Sequence, residues 1–202
     1  MTRILVPPAR VPRWVENFGE RHGPTWLTVV DGALRGDAED GSWFAARLPL
    51  ERAYDGAADV GAFVAAAEPA GDWGVLLVRK GGFAVARLAG ERLVGSKVGQ
   101  RHVQGRTKAG GQSQQRFARR RDNQAREAYA AAADHAARVL DGLRGPLVAG
   151  GDRAAVDAVL ADPRLAGLPV AGPWLAVPDP RRAVLDAAIA AARAVQVDVE
   201  NA

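Results

Sequence analysis

The chain contains no cysteine among its 202 residues and only one methionine. The absence of cysteine excludes a disulfide framework and any metal site built on thiolates. No run of about 18 or more apolar residues occurs, so the sequence predicts no membrane-spanning helix. The start, MTRILVPPAR, has an apolar stretch that is too short for the core of a signal peptide. We therefore expect a globular protein located in the cytoplasm.

Histidine is also scarce, and its placement argues against a metal centre. His22, His102 and His135 are scattered along the chain and have no acidic or cysteine partner at ligand spacing. No Ser-His-Asp arrangement stands out, and neither a Walker A pattern nor a G-x-G-x-x-G after a strand is present. We therefore expect no metal and no organic cofactor.

Basic charge is concentrated in one segment, although the net charge of the chain is only +4. Between Ser96 and Arg126, nine basic residues against the single acid Asp122 give the segment +8, which leaves −4 for the remainder. A basic patch beside an acidic remainder is typical of a protein that binds nucleic acid, whereas an isolated charge run is more often a solvated helix face. Glutamines and one aromatic residue are interleaved here, which favours RNA. We interpret eight of the basic residues as RNA-binding: Lys97, Arg101, Arg106, Lys108, Arg116, Arg119, Arg120 and Arg121.

The first 70 residues predict a small αβ extension. Arg13 to His22 reads as a helix that Gly23 and Pro24 end. Trp26–Val30 and Trp43–Leu48 read as two strands joined by an acidic turn region, and a weaker helix follows at residues 60–67. A Pro/Gly break over residues 68–72 marks the boundary.

Residues 71–202 predict a second domain with a mixed sheet. Trp73–Val78 is an apolar run suited to a buried strand, and two further strands follow it as a meander through Lys97. A basic glycine loop at about residues 99–112 then leads into a long helix at about residues 113–143.

The remainder of that domain alternates strands and helices. Leu147–Ala149 is a short strand that ends in Gly150, Gly151 and Asp152, where either a capped helix start or a small anion site would fit. Trp174–Val177 reads as a final strand, and Pro180 starts a closing helix. This order predicts an α/β fold in which helices flank a mixed β-sheet.

Chemistry is concentrated in the loop and in the start of the long helix. Gly110, Gly111 and Gln112 spell GGQ, and the helix opens with SxxRFAR from Ser113. This stretch resembles the catalytic loop of the class I peptide release factors of eukaryotes and archaea. The resemblance implies hydrolysis of the ester that joins a nascent peptide to tRNA.

The resemblance extends over residues 73–202, which look like the catalytic middle domain of those factors. A decoding release factor has further domains, and some 70 preceding residues are too few to read a codon. The chain is more similar to the Vms-like release factors, a branch that has an actinobacterial counterpart. That similarity implies a codon-independent peptidyl-tRNA hydrolase that acts in ribosome rescue, with the large ribosomal subunit and peptidyl-tRNA as partners.

Two glutamines are candidates for the catalytic side chain. The GGQ triplet points to Gln112, whereas the looser G-x-x-Q pattern of the Vms-like branch falls on Gly111 to Gln114. The catalytic candidates are therefore Gly110, Gly111, Gln112 and Gln114. Glutamine does not titrate, so it can only position a water or exchange hydrogen bonds. A non-catalytic ribosome-binding or RNA-binding module with the same fold is the alternative interpretation.

Overall fold

The computed structural model describes residues 1–68, 71–100 and 112–202, with side chains from residue 124 onward in the last range. The described elements, in chain order, are β1 (Thr2–Val6), α1 (Val11–His22), β2 (Thr25–Val30), β3 (Ala33–Ala38), β4 (Trp43–Arg47), α2 (Val60–Ala67), β5 (Asp72–Arg79), β6 (Gly82–Ala89), β7 (Arg92–Gln100), α3 (Gln112–Val139), β8 (Leu147–Gly151), α4 (Arg153–Leu160), α5 (Arg182–Ala192) and β9 (Val195–Glu200). Within these residues no helix is long and apolar enough to span a bilayer.

The chain divides into two compact units. The first unit is Met1–Ala70 together with Ile189–Ala202, and the second unit is Gly71–Ala188. The C-terminal residues therefore lie with the first unit, whereas the sequence grouped all of residues 71–202. The division into an extension and a catalytic domain stays a prediction about function.

The first unit contains a five-stranded antiparallel sheet in the order β1-β9-β4-β3-β2. One face buries Leu34 and Phe44, which are 0% exposed, in a core that also includes Phe18 and Phe63 from the two helices. On β9 the buried carboxylate of Asp198 accepts hydrogen bonds from the guanidinium groups of two arginines on the neighbouring strands. The hydrogen bond from Arg3 is the main reason that the pKa of Asp198 is lowered.

Both predicted helices and both predicted strands of the first unit are present, whereas three further strands were missed. β2 and β4 confirm the two predicted strands, but the intervening segment is not only a turn, because β3 lies within it. The sequence of β3, ALRGDA, contains Gly36 and two charged residues, a composition that disfavours strands. β1 and β9 pair with each other from opposite ends of the chain, and a local pattern does not reveal such pairing.

The second unit contains a mixed sheet in the order β7-β6-β5-β8. β5 runs antiparallel to β6 and parallel to β8, which confirms the predicted α/β fold with a mixed sheet flanked by helices. α3 and α4 contribute to one core with the strands, and alanines on α3 allow a close approach: Ala132, Ala133 and Ala136 are all buried.

Two predictions for the second unit need correction. α3 begins one residue before the predicted helix and ends at Val139 rather than near residue 143, and the chain then turns through Gly142, whose φ is +69°. The predicted strand Trp174–Val177 is reduced to a single bridge between Gly150 and Leu175. Prolines flank that segment on both sides and provide no N–H group for a ladder.

Candidate functional site

The predicted catalytic residues lie where β7 gives way to α3. β7 ends at Gln100 and α3 begins at Gln112, so Gln112 is the first residue of the helix and Gln114 is the third. Gly110 and Gly111 lie outside the described residues. The structure thus places the last residue of the GGQ triplet at the N-terminus of a helix.

The predicted RNA-binding residues fall into three groups. Arg101, Arg106 and Lys108 lie outside the described residues, as does His102. The backbone of α3 carries the second group, which is Arg116, Arg119, Arg120 and Arg121. Lys97 is exposed on β7 opposite Val85. Its charge contributes to lowering the pKa of His135 on α3, which indicates that the two side chains are near each other.

Arg87 on β6 links the sheet to the end of α3. Its guanidinium donates to both carboxylate oxygens of Asp72 at the start of β5, and Nη1 donates to the backbone carbonyl of Asp141 just beyond α3. Asp72 holds the pKa of Arg87 above its ordinary value, mainly through the side-chain hydrogen bond. One partly buried side chain therefore connects the sheet to the C-terminal end of the helix whose first residues carry the motif.

The anchored part of α3 is its C-terminal half. Among the α3 side chains that the structure describes, from residue 124 onward, the buried ones begin at Ala132 and continue through Ala136 towards Leu140, while Tyr129 is only partly buried. α3 spans 28 residues, which corresponds to a length of about 42 Å. This anchoring fixes the direction in which the helix extends towards Gln112.

The turn from β8 into α4, where the sequence allowed a small anion site, has a structural role. The N–H of Gly151 donates to the carbonyl of Leu175, and the N–H of Asp152 donates to the carbonyl of Val78. These two amides are therefore not free to bind an anion. Asp152 stands at the N-cap position of α4, but its side chain makes no capping hydrogen bond, contrary to the prediction.

The described histidines have different neighbours. Nδ1 of His22 lies 2.8 Å from a carboxylate oxygen of Asp40, and Nδ1 of His135 lies 2.9 Å from Nη2 of Arg138. No cluster of acidic and histidine side chains suited to a metal ion occurs within residues 1–68, 71–100 and 124–202.

The sequence did not reveal a pocket between the end of β7 and the C-terminal half of α3. It has a volume of about 220 Å³, and its lining includes Phe83, Gly99, Gln100, Tyr129, Ala131 and His135. A helical spacing of three to four residues on α3 relates Ala128, Ala131 and His135, but the same spacing is also the mark of an ordinary core face.

Comparison with known proteins identifies a family for this chain. No curated protein matches the chain. The family model described as "acVLRF1: Actinobacteria/chloroflexi VLRF1 release factor" matches residues 71–198. The match covers more than half of the 202 residues, and the chain therefore belongs to the actinobacterial and chloroflexi VLRF1 release factor family.

Proposed function

We propose that this chain is a codon-independent peptidyl-tRNA hydrolase that releases nascent peptides from stalled large ribosomal subunits. The observation that carries the proposal is the GGQ triplet, which ends on the first residue of α3 within a chain of a release factor family. The surroundings of the reaction are the peptidyl-transferase centre of the large subunit and the 3′ end of the tRNA. The site of action is the cytoplasm, and neither a metal nor an organic cofactor takes part.

The reaction is the attack of water on the carbonyl carbon of the ester between peptide and tRNA. A new C–O bond forms from water, the bond to the 3′ oxygen of the ribose breaks, and a proton passes to that oxygen. Gln112 or Gln114 positions the water through its side-chain amide, since glutamine has no titratable proton. Gly110 and Gly111 have no Cβ, so a backbone N–H can approach the oxygen on which charge develops.

The architecture of the second unit supports this role. Arg87 and the buried alanines hold the C-terminal half of α3 on the sheet. The sheet can therefore support the first turn of the helix, which carries Gln112 and Gln114. A rigid support of this kind is what positions a reacting group with the precision that catalysis needs. The arginines from Arg116 to Arg121 would neutralise RNA phosphates beside the reacting ester.

Release of peptide from purified large subunits that carry peptidyl-tRNA tests the proposal. We expect Gln112→Ala or Gln114→Ala to lower the release rate by on the order of 10² to 10³, the usual loss when one preorganised polar group is removed from an active site. Gln115→Ala is the matched control, because Gln115 fits neither motif pattern. Affinity for the subunits should stay near that of the unmodified protein in all three variants.

A backbone role for the motif gives a different pattern. If the N–H group of the glutamine matters more than its side chain, Gly111→Ala will slow release more than either glutamine variant does, because a Cβ restricts the turn. If release is unchanged in all of these variants while binding persists, the motif is not catalytic. The non-catalytic RNA-binding module then replaces the hydrolase.

A further inference from the structure

A pocket lies beside the end of β7, the strand that precedes the GGQ triplet in the sequence. Gly99 and Gln100 from the end of β7, Phe83 from β6 and five residues of α3 contribute to its lining. The volume of about 220 Å³ is below the range of roughly 300–1,000 Å³ that is usual for drug-sized ligands. The pocket therefore suits one ring system rather than a whole nucleotide.

Planar side chains form part of its wall. The rings of Phe83 and His135 stack with centroids 5.4 Å apart and planes 23° from parallel. Phe83 can lie across β7 because Gly99 opposite it has no side chain: a Cβ there would fall 2.7 Å from Cζ of the ring. A pocket lined by planar side chains of this kind favours a flat ligand.

Polar groups with unused hydrogen-bonding capacity also border the pocket. The guanidinium of Arg138 can only donate, so the Nδ1 atom of His135 accepts from it, and a neutral ring then carries its proton on Nε2. Within the part of the chain that the structure describes, neither the hydroxyl of Tyr129 nor the side-chain amide of Gln100 has a hydrogen-bond partner. Together these groups offer both donors and acceptors, which the edge of a heterocyclic ring requires.

Basic side chains and their acidic partners both lie near the pocket. Arg79 contributes to the lining, and Lys97 and Arg138 are exposed near His135. Arg79 is paired, because its Nε lies 3.8 Å from a carboxylate oxygen of Asp179, and Arg164 is shared by the carboxylates of Asp134 and Asp162. Lys97 and Arg138 therefore supply the positive charge beside His135. A ligand that is attached to phosphates is thus favoured over a cationic one.

We propose that this pocket binds one unpaired nucleobase of RNA. The base packs against the aromatic side chains that line the pocket, its edge meets the Tyr129 hydroxyl and the Gln100 amide, and its phosphates lie near Lys97 and Arg138. The proposal rests on the RNA partner of the proposed function, but it does not require either glutamine of the motif to be catalytic. Single-stranded RNA is commonly recognised through such stacking, which tolerates different bases.

A substitution at the rim of the pocket tests the proposal without disturbing the core. Ala130 and Ala131 are both exposed on α3, but only Ala131 is among the lining residues, so Ala131→Trp fills the pocket and Ala130→Trp is its matched control. The probe is a fluorescent single-stranded RNA with the CCA end of tRNA, together with versions in which one of the last three bases is removed but every phosphate is kept.

We expect removal of one of these bases to weaken binding by on the order of tenfold in the unmodified protein and in Ala130→Trp. Ala131→Trp should bind the intact RNA as weakly as the other proteins bind the base-deleted RNA, with no further loss on base removal. Equal binding of a same-length RNA of unrelated sequence, with the same dependence on a base, would point to any unpaired base, including a ribosomal one. If base removal and Ala131→Trp have no effect with either RNA, the pocket does not hold a base.

The peptide-release assay separates this proposal from the hydrolase. If the protein releases no peptide but binds RNA in a base-dependent way that Ala131→Trp removes, the nucleobase pocket is supported and the hydrolase is rejected. If Ala131→Trp leaves peptide release unchanged and RNA binding does not depend on a base, the hydrolase is supported and the nucleobase pocket is rejected.

Discussion

Each compact unit contains a phenylalanine that lies across a glycine of the neighbouring strand, and the two rings differ in what covers them. In the first unit Phe44 lies over Gly36, and the rings of Trp14 and Phe18 meet it edge-on with centroids 5.1 Å away. Phe44 is 0% exposed.

In the second unit Phe83 lies over Gly99, but a histidine and a pocket adjoin its ring. The same packing arrangement therefore completes a hydrophobic core in one sheet and forms the wall of a candidate binding site in the other. What decides the outcome is the covering side chain: an aromatic cover excludes water, whereas His135 leaves polar atoms at the edge of the ring.

The two tyrosines of the chain repeat this difference. Tyr54 in the first unit is buried, and its hydroxyl donates to the carbonyl of Ala57 at 2.6 Å. Tyr129 in the second unit is partly buried beside the pocket, and its hydroxyl has no partner among the described residues. The tyrosine hydroxyl is thus satisfied internally in the first unit and left available in the second.

The largest expected effect on the free energy of unfolding comes from replacing the two glycines with alanine. A Cβ on Gly36 would lie 2.6 Å from Cζ of Phe44, and the surrounding rings leave that side chain no room to move, so we expect Gly36→Ala to cost about 3 kcal/mol of unfolding free energy. The corresponding overlap at Gly99 can be relieved because Phe83 can turn towards the pocket. Gly99→Ala should therefore cost only about 1 kcal/mol. Urea unfolding measures both values.

Gly95→Ala on β7 is the control for this pair. The nearest atom to a Cβ at Gly95 is Cγ1 of Val139 at 4.0 Å, so the substitution adds no overlap and should stabilise the protein by up to about 0.5 kcal/mol. Equal costs at Gly36 and Gly99 would show that Phe83 is held as firmly as Phe44, which would end the contrast between the units.

Local patterns revealed most helices and the strands next to them, because their signals lie within a few residues. β5 is a continuous apolar run, and α2 coincides with its predicted bounds. The GGQ triplet could likewise be read from the sequence, since all its members are consecutive.

Features that depend on distant pairing could not be read in the same way. β9 pairs with β1 and β4 only because the chain returns to the first sheet at its end. The pocket depends on the register that sets Phe83 opposite Gly99 and on the helix that brings His135 above them. Neither the pairing nor the helix position has a signature in any one segment.

A smaller effect is expected when the tyrosine hydroxyls are removed. Tyr54→Phe loses the bond to Ala57 and should cost about 1 kcal/mol, a typical net value for one hydrogen bond. Tyr129→Phe loses no internal bond and should stay within about 0.5 kcal/mol of the unmodified protein. Thermal and urea unfolding of the two variants compare them directly, and a larger loss for Tyr129→Phe would mean that its hydroxyl does serve the fold.

The smallest effect concerns the histidine that covers Phe83. Burial is the main cause that lowers the pKa of His135 below its ordinary 6.5, and the positive charges of Arg138 and Lys97 add to it, while Asp134 opposes them. The unfolded chain therefore takes up its proton first as the pH falls through 6.5, so the contribution of His135 to stability is present above that pH and is lost as the pH falls towards its folded-state pKa. An NMR titration of the ring should give a midpoint below that of a free histidine, and Lys97→Gln should move the midpoint upward by a small amount because it removes one of the two repelling cations. A midpoint at or above 6.5 would mean that the ring is more hydrated than the structure indicates. His135 would then no longer account for the difference between the surroundings of Phe83 and those of Phe44.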